Sequence, residues 1–304
     1  MYHQLCLYLL TDSGRISIMK LKKFYIITNK VKDPDHKMTN SIMQFLESNG
    51  AQCACQNPKE DLEHAKYRYT NADMIDDDTD CIIVLGGDGT LIQAARDVNR
   101  KDIPMLGVNI GTLGYLTDTE VDTVFDTLRL LLDGEYEIDS RMMLTGTVYR
   151  DGKMIYENTA LNDIVINRCG TLRVIDFDIY VNNEYLNSYS ADGVIIATAT
   201  GSTAYSLSAG GPIIQPNARL MMITPICPHT MNKRSIIFGA SDEIEIIMSD
   251  NKRLQEERVA TFDGEMFSQV ITGDKIIIRS SDKVSKFIKT NKIGFLQKIR
   301  EKML

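Results

Sequence analysis

From Lys20 onward, short apolar runs alternate with stretches of helical period. "FYIIT" reads as a first strand, and a helix is predicted through "NSIMQFLESNG", stopped by Gly50. The continuous apolar run "CIIVL" predicts a buried strand, followed by a helix from Gly89 to about Asn99 and a further strand in "PMLGVN". In "EVDTVFDTLRLLLDG", Val121, Val124, Phe125, Leu128, Leu131 and Leu132 recur at three- and four-residue spacing, so this segment is a third helix ending at Gly134. Alternation of this kind implies right-handed crossovers and a parallel sheet covered by helices. In such a sheet, ligands sit at the carboxyl ends of the strands.

After about Ile138 the rhythm changes. "LTGTVYR", "KMIYENTA", "DIVINR", "VIDFDIYVNN", "GVIIATAT", "SIIFGA", "EIEIIMS" and "DKIIIRS" are strand-like runs punctuated by Gly, Asn and Asp. They predict an all-β second domain, a sandwich in preference to a barrel. "TNKIGFLQKIREKML" returns to helical character. The expected organisation is an extension over 1–19, an α/β nucleotide- and phosphate-binding domain over 20–139 and a β-rich domain over 140–284. A C-terminal helix over 285–304 then packs back on the first domain. Residues 1 to 18 precede the first strand, which makes Met19 a candidate initiator. "LCLYLL" is too short to span a bilayer and has neither a basic flank nor a cleavage site.

Composition narrows the function classes. With 43% hydrophobic and 25% charged residues the chain is an ordinary globular one, and a formal charge of -7 without a basic stripe argues against a nucleic-acid binder. Membrane association is likewise not expected. The six cysteines fit neither a zinc site nor a redox pair, Cys53 and Cys55 being separated by a single residue. They read as reduced thiols of a cytoplasmic protein.

The chemistry concentrates in two stretches. "CIIVLGGDGTLIQAA" is a strand, a glycine-rich turn and a helix start, the arrangement that holds phosphate with backbone N–H groups and the helix dipole. Asp88 stands at its centre. A carboxylate about 4 Å from a phosphate charge is repelled by roughly 4 kcal/mol at an effective dielectric near 20, so a plain phosphate cradle would avoid one. The plain alternative is that Asp88 only caps the helix. No Lys-Ser/Thr pair and no G-x-G-x-x-G accompany the turn, so any nucleotide is held by another design. Downstream, "GVNIGTLGYLTD" sets Gly107, Gly111 and Gly114 around Asn109. The second stretch is "SADGVIIATATGSTAYSLSAGGPII", in which Thr200, Ser202, Thr203, Tyr205, Ser206 and Ser208 form a row of hydroxyls suited to ribose and phosphate oxygens. Tyr205 adds a face for stacking on a base.

"GGDGT", "NIGTLGYLT", "ALND", "ADGVIIATATGSTAYSLSAGGPI" and "TPICPHT", in this order and spacing, resemble the NAD kinases, which transfer the ATP γ-phosphoryl group to the 2'-hydroxyl of the adenosine ribose of NAD. The resemblance runs from Lys20 to the end. "GGDGT" alone is shared with diacylglycerol and sphingosine kinases and more loosely with phosphofructokinases, whereas the later motifs are narrower. It implies that Asp88 is the catalytic base and that Gly86, Gly87, Gly89 and Thr90 shape the ATP phosphate loop. It implies that Asn162 and Asp163 hold the NAD ribose, that Asp192 meets the nicotinamide side, and that Thr203, Ala204, Tyr205 and Ser208 line the adenosine pocket. Asp163 stands where the family often has Glu, and Ala199 where many members have proline. His229 of "PICPHT" and the "FDGE" of Phe262 to Glu265 also match family motifs. A lone histidine is more often structural, and Asp-Gly is an ordinary hairpin turn signal. The implied cofactor is Mg²⁺ arriving with ATP, with no dedicated metal ligands on the protein, and the implied assembly is a homodimer or homotetramer. Two rival readings are a lipid kinase, which the hydroxyl-rich loop and the lack of an amphipathic membrane helix disfavour, and a dinucleotide-binding regulator without catalysis.

Overall fold

The computed structural model describes residues 9–10, 16–17, 20–56, 70–111, 114–170, 174–229, 233–249, 257–290 and 294–303. Two compact units are present, one of residues 1–139 and 286–304, the other of residues 140–285. Ahead of the first predicted strand, Leu9–Leu10 pairs antiparallel with Ile16–Ser17 in a two-stranded ladder of its own. All the other residues up to 19, on which the reading of an extension rests, lie outside the described set.

In the first unit the main strands are β1 (Lys23–Thr28), β2 (Gln52–Cys55), β3 (Cys81–Gly86) and β4 (Met105–Asn109), with the two-residue strand Thr119–Glu120 pairing parallel with β4, and the main helices are α1 (Lys37–Ser48), α2 (Asp88–Asp97) and α3 (Val124–Asp133). Apart from the separate Leu9–Leu10 ladder, the strand pairings of this unit are parallel, in the order β4-β3-β1-β2. Parallel strands covered on both faces read as unbroken apolar runs, and β3 and β4 are buried along their whole length. The core is built from Phe24, Ile26, Ile83 and Leu85 of the sheet against Ile42 and Leu46 of α1 and Val124, Leu128 and Leu131 of α3. Helix α3 ends at Gly134, whose φ of 79° is the left-handed conformation a helix C-terminus favours. Helix α2 begins one residue earlier than the periodicity suggests, so Asp88 lies inside its first turn. The ladder sets Thr28 against Leu85 and Gly86 against Asn109, bringing three carboxyl-terminal strand ends together.

The chain then continues through β5 (Glu137–Arg150), β6 (Lys153–Ala160), β7 (Asp163–Cys169), β8 (Ile175–Val181), β9 (Glu184–Ala191) and β10 (Gly193–Thr198). A 3-10 turn (Thr200–Thr203) and the short helix α4 (Tyr205–Ser208) follow. Next come β11 (Leu220–Ile226), β12 (Ile236–Gly239), β13 (Ile244–Met248), β14 (Glu257–Phe262), β15 (Met266–Val270), β16 (Lys275–Lys289) and α5 (Phe295–Met303).

The second unit is a mostly antiparallel sandwich, as the sequence predicts. One sheet has the order β12-β11-β10-β7-β14-β15, and β9-β8-β13-β16 form the facing ladder. Ile164, Ile166, Val194 and Ile196 of one pack with Phe177, Ile179, Ile246 and Ile276 of the other. Four strands escape the sequence pattern: β9, β11, β14 and β15. Strand β11 contains Pro225, which pairs with Val194 on one side. The ladder to β12 stops at Ile223, so the missing proline N–H interrupts no pairing there.

Candidate active site

In the first unit, the glycine turn leaves β3 at Gly86 and enters α2 at Asp88. Gly86 is required by packing: a Cβ there would stand 2.4 Å from the Thr90 hydroxyl oxygen. That hydroxyl accepts a hydrogen bond from Asn29 Nδ2 at 3.0 Å, and Asn29 N in turn donates to Leu85 O. Thr90 is therefore held inward by the chain itself. Gly89 differs, because a Cβ there would meet open space. No internal contact demands a glycine at that position, and its absent side chain leaves room at the helix start.

Asp88 is a clamp in this structure. Its carboxylate accepts from the backbone N–H groups of Tyr115 at 2.5 Å, Leu116 at 3.1 Å and Thr117 at 3.2 Å, and from the Thr117 hydroxyl at 3.3 Å. Gly114 is explained by the same contact, since a Cβ there would lie 1.9 Å from Asp88 Oδ1. The charge that a phosphate turn should avoid is thus turned toward a neighbouring row of amides. Asn109, opposite Gly86 in the ladder, is buried and keeps Oδ1 without a partner among the described residues.

In the second unit, residues 161–163 between β6 and β7 are fixed from two sides. Asp263 accepts from the N–H groups of Leu161 at 2.8 Å, Asn162 at 2.7 Å and Asp163 at 3.2 Å, while its own N–H donates to Asp163 O at 3.0 Å. From the other side, Thr198 donates to Leu161 O through its hydroxyl at 2.7 Å and to Asn162 O through its N–H at 2.8 Å. Gly201 passes so close that a Cβ would sit 2.1 Å from Asn162 O. Held this way, the side chains of Asn162 and Asp163 make no hydrogen bond among the described residues, although Asp163 is only 5% exposed. Burial pushes the Asp163 carboxyl up to about 7, and the adjacent Asp263 charge adds to the shift.

That shift has a sign. An acid with a raised folded-state pKa binds more protons folded than unfolded between the two values, so its contribution to stability falls as pH rises from about 4 to about 7 and is level above. Asp163→Asn removes the buried charge. Its stability relative to the unsubstituted chain should therefore improve by at least about 1 kcal/mol between pH 4 and pH 8 in chemical denaturation. A difference independent of pH would mean that Asp163 titrates as it does in the unfolded chain.

The hydroxyl row divides in two. Ser202 donates to Ala199 O at 2.7 Å and accepts from Ile214 N at 3.1 Å, Thr200 accepts from Arg141 Nη1 at 3.2 Å, and Ser206 bonds Thr224 at 3.1 Å. All three are buried and serve the fold. Thr203, Ala204, Tyr205 and Ser208 are not buried, and Tyr205 is 43% exposed. The Tyr205 phenol is pushed up, first by burial and then by the charges of Cys227, Asp192 and Asp163. Asp192 is itself ion-paired to Arg168 at 2.7 Å. His229 is exposed, and its backbone N–H donates to Ser190 O at 2.8 Å.

Sequence reasoning missed Arg168, Thr198, Asn29 and Lys32. For Asp263 the signal was present in "FDGE". Asp263 and Gly264 have φ of 50° and 71°, the paired positive values of a tight hairpin turn, so the turn chemistry and the clamp share one residue.

The first unit is thus an α/β unit with a glycine turn at its strand ends, and the second is a β-sandwich carrying an exposed tyrosine, the architecture in which the family comparisons find a nucleotide-dependent kinase. Residues 24–136 match the ATP-NAD kinase N-terminal domain and residues 161–290 the ATP-NAD kinase C-terminal domain. An NAD kinase of Lachnospira eligens is 58% identical over 293 residues, covering 93% of this chain and 100% of the relative. One from Lachnoclostridium phytofermentans is 42% identical over 285 residues, covering 93% and 99%. The chain belongs to the ATP-NAD kinase family. Among solved structures, a yeast NADH kinase complexed with NADH superposes with a TM-score of 0.75 at 23% identity, covering 95% of this chain and 90% of that one. An NAD kinase from Archaeoglobus fulgidus in complex with ATP gives 0.71 at 21%, covering 89% and 94%, and shares the fold.

Proposed function

We propose that this NAD kinase places the ATP phosphates on Gly86, Gly87, Gly89 and Thr90 and uses Asp88 as the base for the 2'-hydroxyl of the adenosine ribose of NAD. In the second unit, Asn162 and Asp163 hold the ribose, Asp192 meets the nicotinamide side, and Thr203, Ala204, Tyr205 and Ser208 line the adenosine pocket. The observation that carries this reading is the segment 161–163, clamped on Asp263, which leaves the side chains of Asn162 and Asp163 without a hydrogen bond among the described residues. Phosphoryl transfer is mostly positioning and charge neutralisation, so such preorganisation is what the chemistry needs.

Magnesium fits the donor set. No group of three or more His, Cys, Asp or Glu able to hold a metal occurs among the described residues, and Mg²⁺ is commonly bound by substrate phosphates plus one or two protein oxygens. Asn109 Oδ1 is a hard oxygen of the required kind. When bound, the ion would offset phosphate charge.

Tyr205→Ala should raise the NAD Michaelis constant about tenfold or more with the ATP constant within about twofold, as loss of base stacking predicts. A change confined to the ATP constant would reverse the assignment of substrates to the two units. The enzyme is proposed to be cytoplasmic. Cys53, Cys55, Cys81, Cys169 and Cys227 are all free thiols, and no described helix is long and apolar enough to cross a membrane. A homodimer or homotetramer is proposed because β12 and β15 end their sheet with Ile237 and Phe267 exposed. Light scattering that finds a fully active monomer at micromolar concentration would refute it.

A further inference from the structure

Lys32 lies outside every motif that sequence reading selects, yet its ammonium stands over the glycine turn. A Cβ on Gly87 would lie 3.0 Å from Lys32 Nζ, and one on Gly111 would lie 3.4 Å from it. The lysine therefore bridges the turn after β3 and the segment after β4, and it can do so because both positions lack a side chain.

This placement is built by the fold. Asn29 donates through its N–H to Leu85 O at 2.8 Å and through its side chain to Thr90. The Asn29 carbonyl accepts from the N–H groups of Lys32 and Asp33, both at 3.0 Å, and Asn29 Oδ1 accepts from Val31 N at 3.0 Å. Asp33 is anchored to the start of α1 by the N–H of Thr39 at 3.0 Å and the Thr39 hydroxyl at 2.8 Å. Both ends of the five-residue segment "NKVKD" are thus tied down, one of them to the turn itself.

Charge points the same way. Among the described residues Lys32 has no carboxylate within ion-pair distance, and the one acid of the turn, Asp88, directs both oxygens to residues 115–117. An exposed lysine is usually only a solvated surface group. A solvated group, however, requires neither a doubly anchored segment nor two glycines beneath its ammonium, and a lysine set over a glycine turn is a common way of holding a phosphate oxygen.

We propose that Lys32 is a substrate-binding residue of this kinase that holds a phosphate of the donor nucleoside triphosphate over Gly87 and Gly111. The inference rests on the reading of Gly86 to Thr90 as the donor's phosphate loop. Lys32 acts there as a point charge, with the backbone N–H groups of the turn supplying direction.

The test compares the unsubstituted chain with Lys32→Met and Lys32→Arg. Steady-state kinetics are run at varied Mg-ATP and varied NAD, and Mg-ATP binding without NAD is measured by calorimetry. Lys32→Met should raise the ATP Michaelis constant and the ATP dissociation constant about tenfold or more, leaving the NAD constant within about twofold and the melting temperature unchanged. Lys32→Arg should recover most of the loss, and the dependence of ATP binding on salt should weaken in Lys32→Met. ATP constants within twofold of the unsubstituted chain, or an effect confined to NAD, would overturn the proposal. If the unsubstituted chain bound Mg-ATP but formed no NADP, the functional reading would fail, and calorimetry would still judge Lys32.

Discussion

Asp88→Asn should lower turnover by at least about a hundredfold, because general-base assistance is typically worth about 10² to 10⁴ in rate and a ribose hydroxyl is a poor nucleophile until its proton is taken. Asparagine keeps the size of the side chain and one acceptor oxygen, but it cannot take up the proton. The structure adds a second consequence. Asp88 clamps the N–H groups of residues 115–117, and an amide presents a donor where the carboxylate presents an acceptor, so part of the loss could come from a displaced loop. Gly114→Ala separates the two causes. Its Cβ would meet Asp88 Oδ1 and push the loop away while leaving the carboxylate in place. On a base role, Asp88→Asn loses at least tenfold more turnover than Gly114→Ala. Equal losses would make Asp88 an anchor and nothing more.

The largest effect on stability is expected at Asp263. Its carboxylate satisfies three consecutive amides, and each buried N–H left without a partner costs about 1–3 kcal/mol. The site is partly open to water, so Asp263→Ala should destabilise by about 3 kcal/mol, a fall of roughly 6–12 °C in melting temperature for a chain of this size. Alanine also resists the left-handed backbone at this position, where φ is 50°. Asp263→Asn tolerates that backbone, keeps an acceptor and removes the charge facing Asp163, so its cost should be about half. The NAD Michaelis constant should rise with both variants, because residues 161–163 lose their hold. A melting temperature within 2 °C of the unsubstituted chain in Asp263→Ala would show that water replaces the clamp without penalty.

How much the sequence revealed depends on what each residue answers to. Strands β3 and β4 were legible because sheets buried on both faces are apolar throughout, and α3 because its buried positions repeat at helical spacing and end at Gly134. Strand β9, "EYLNSYSA", was hidden because its exposed face is polar and its buried positions include Tyr189 and Ala191, which do not announce a strand. The glycine turn and the Thr203 to Ser208 segment were legible as chemistry. The division of the hydroxyl row into buried Ser202 and Ser206 and outward Thr203 and Ser208 was not, since it depends on how Ile214 and Thr224 return to the segment. Asp88 shows the same limit. Its carboxylate is conspicuous in the sequence, whereas its partners lie 27 to 29 residues away. Lys32 carries no signal at all, because its place over Gly87 is set by two anchors in the tertiary fold.

This chain phosphorylates the adenosine 2'-hydroxyl of NAD. Purified protein is incubated with Mg-ATP and NAD, and the product is followed with a dehydrogenase that accepts only NADP. NADP and ADP should form in equal amounts, with the rate lowered to about one part in a hundred or less by Asp88→Asn. ATP consumed without NADP, or no turnover of either substrate by a folded protein that binds both, would contradict it.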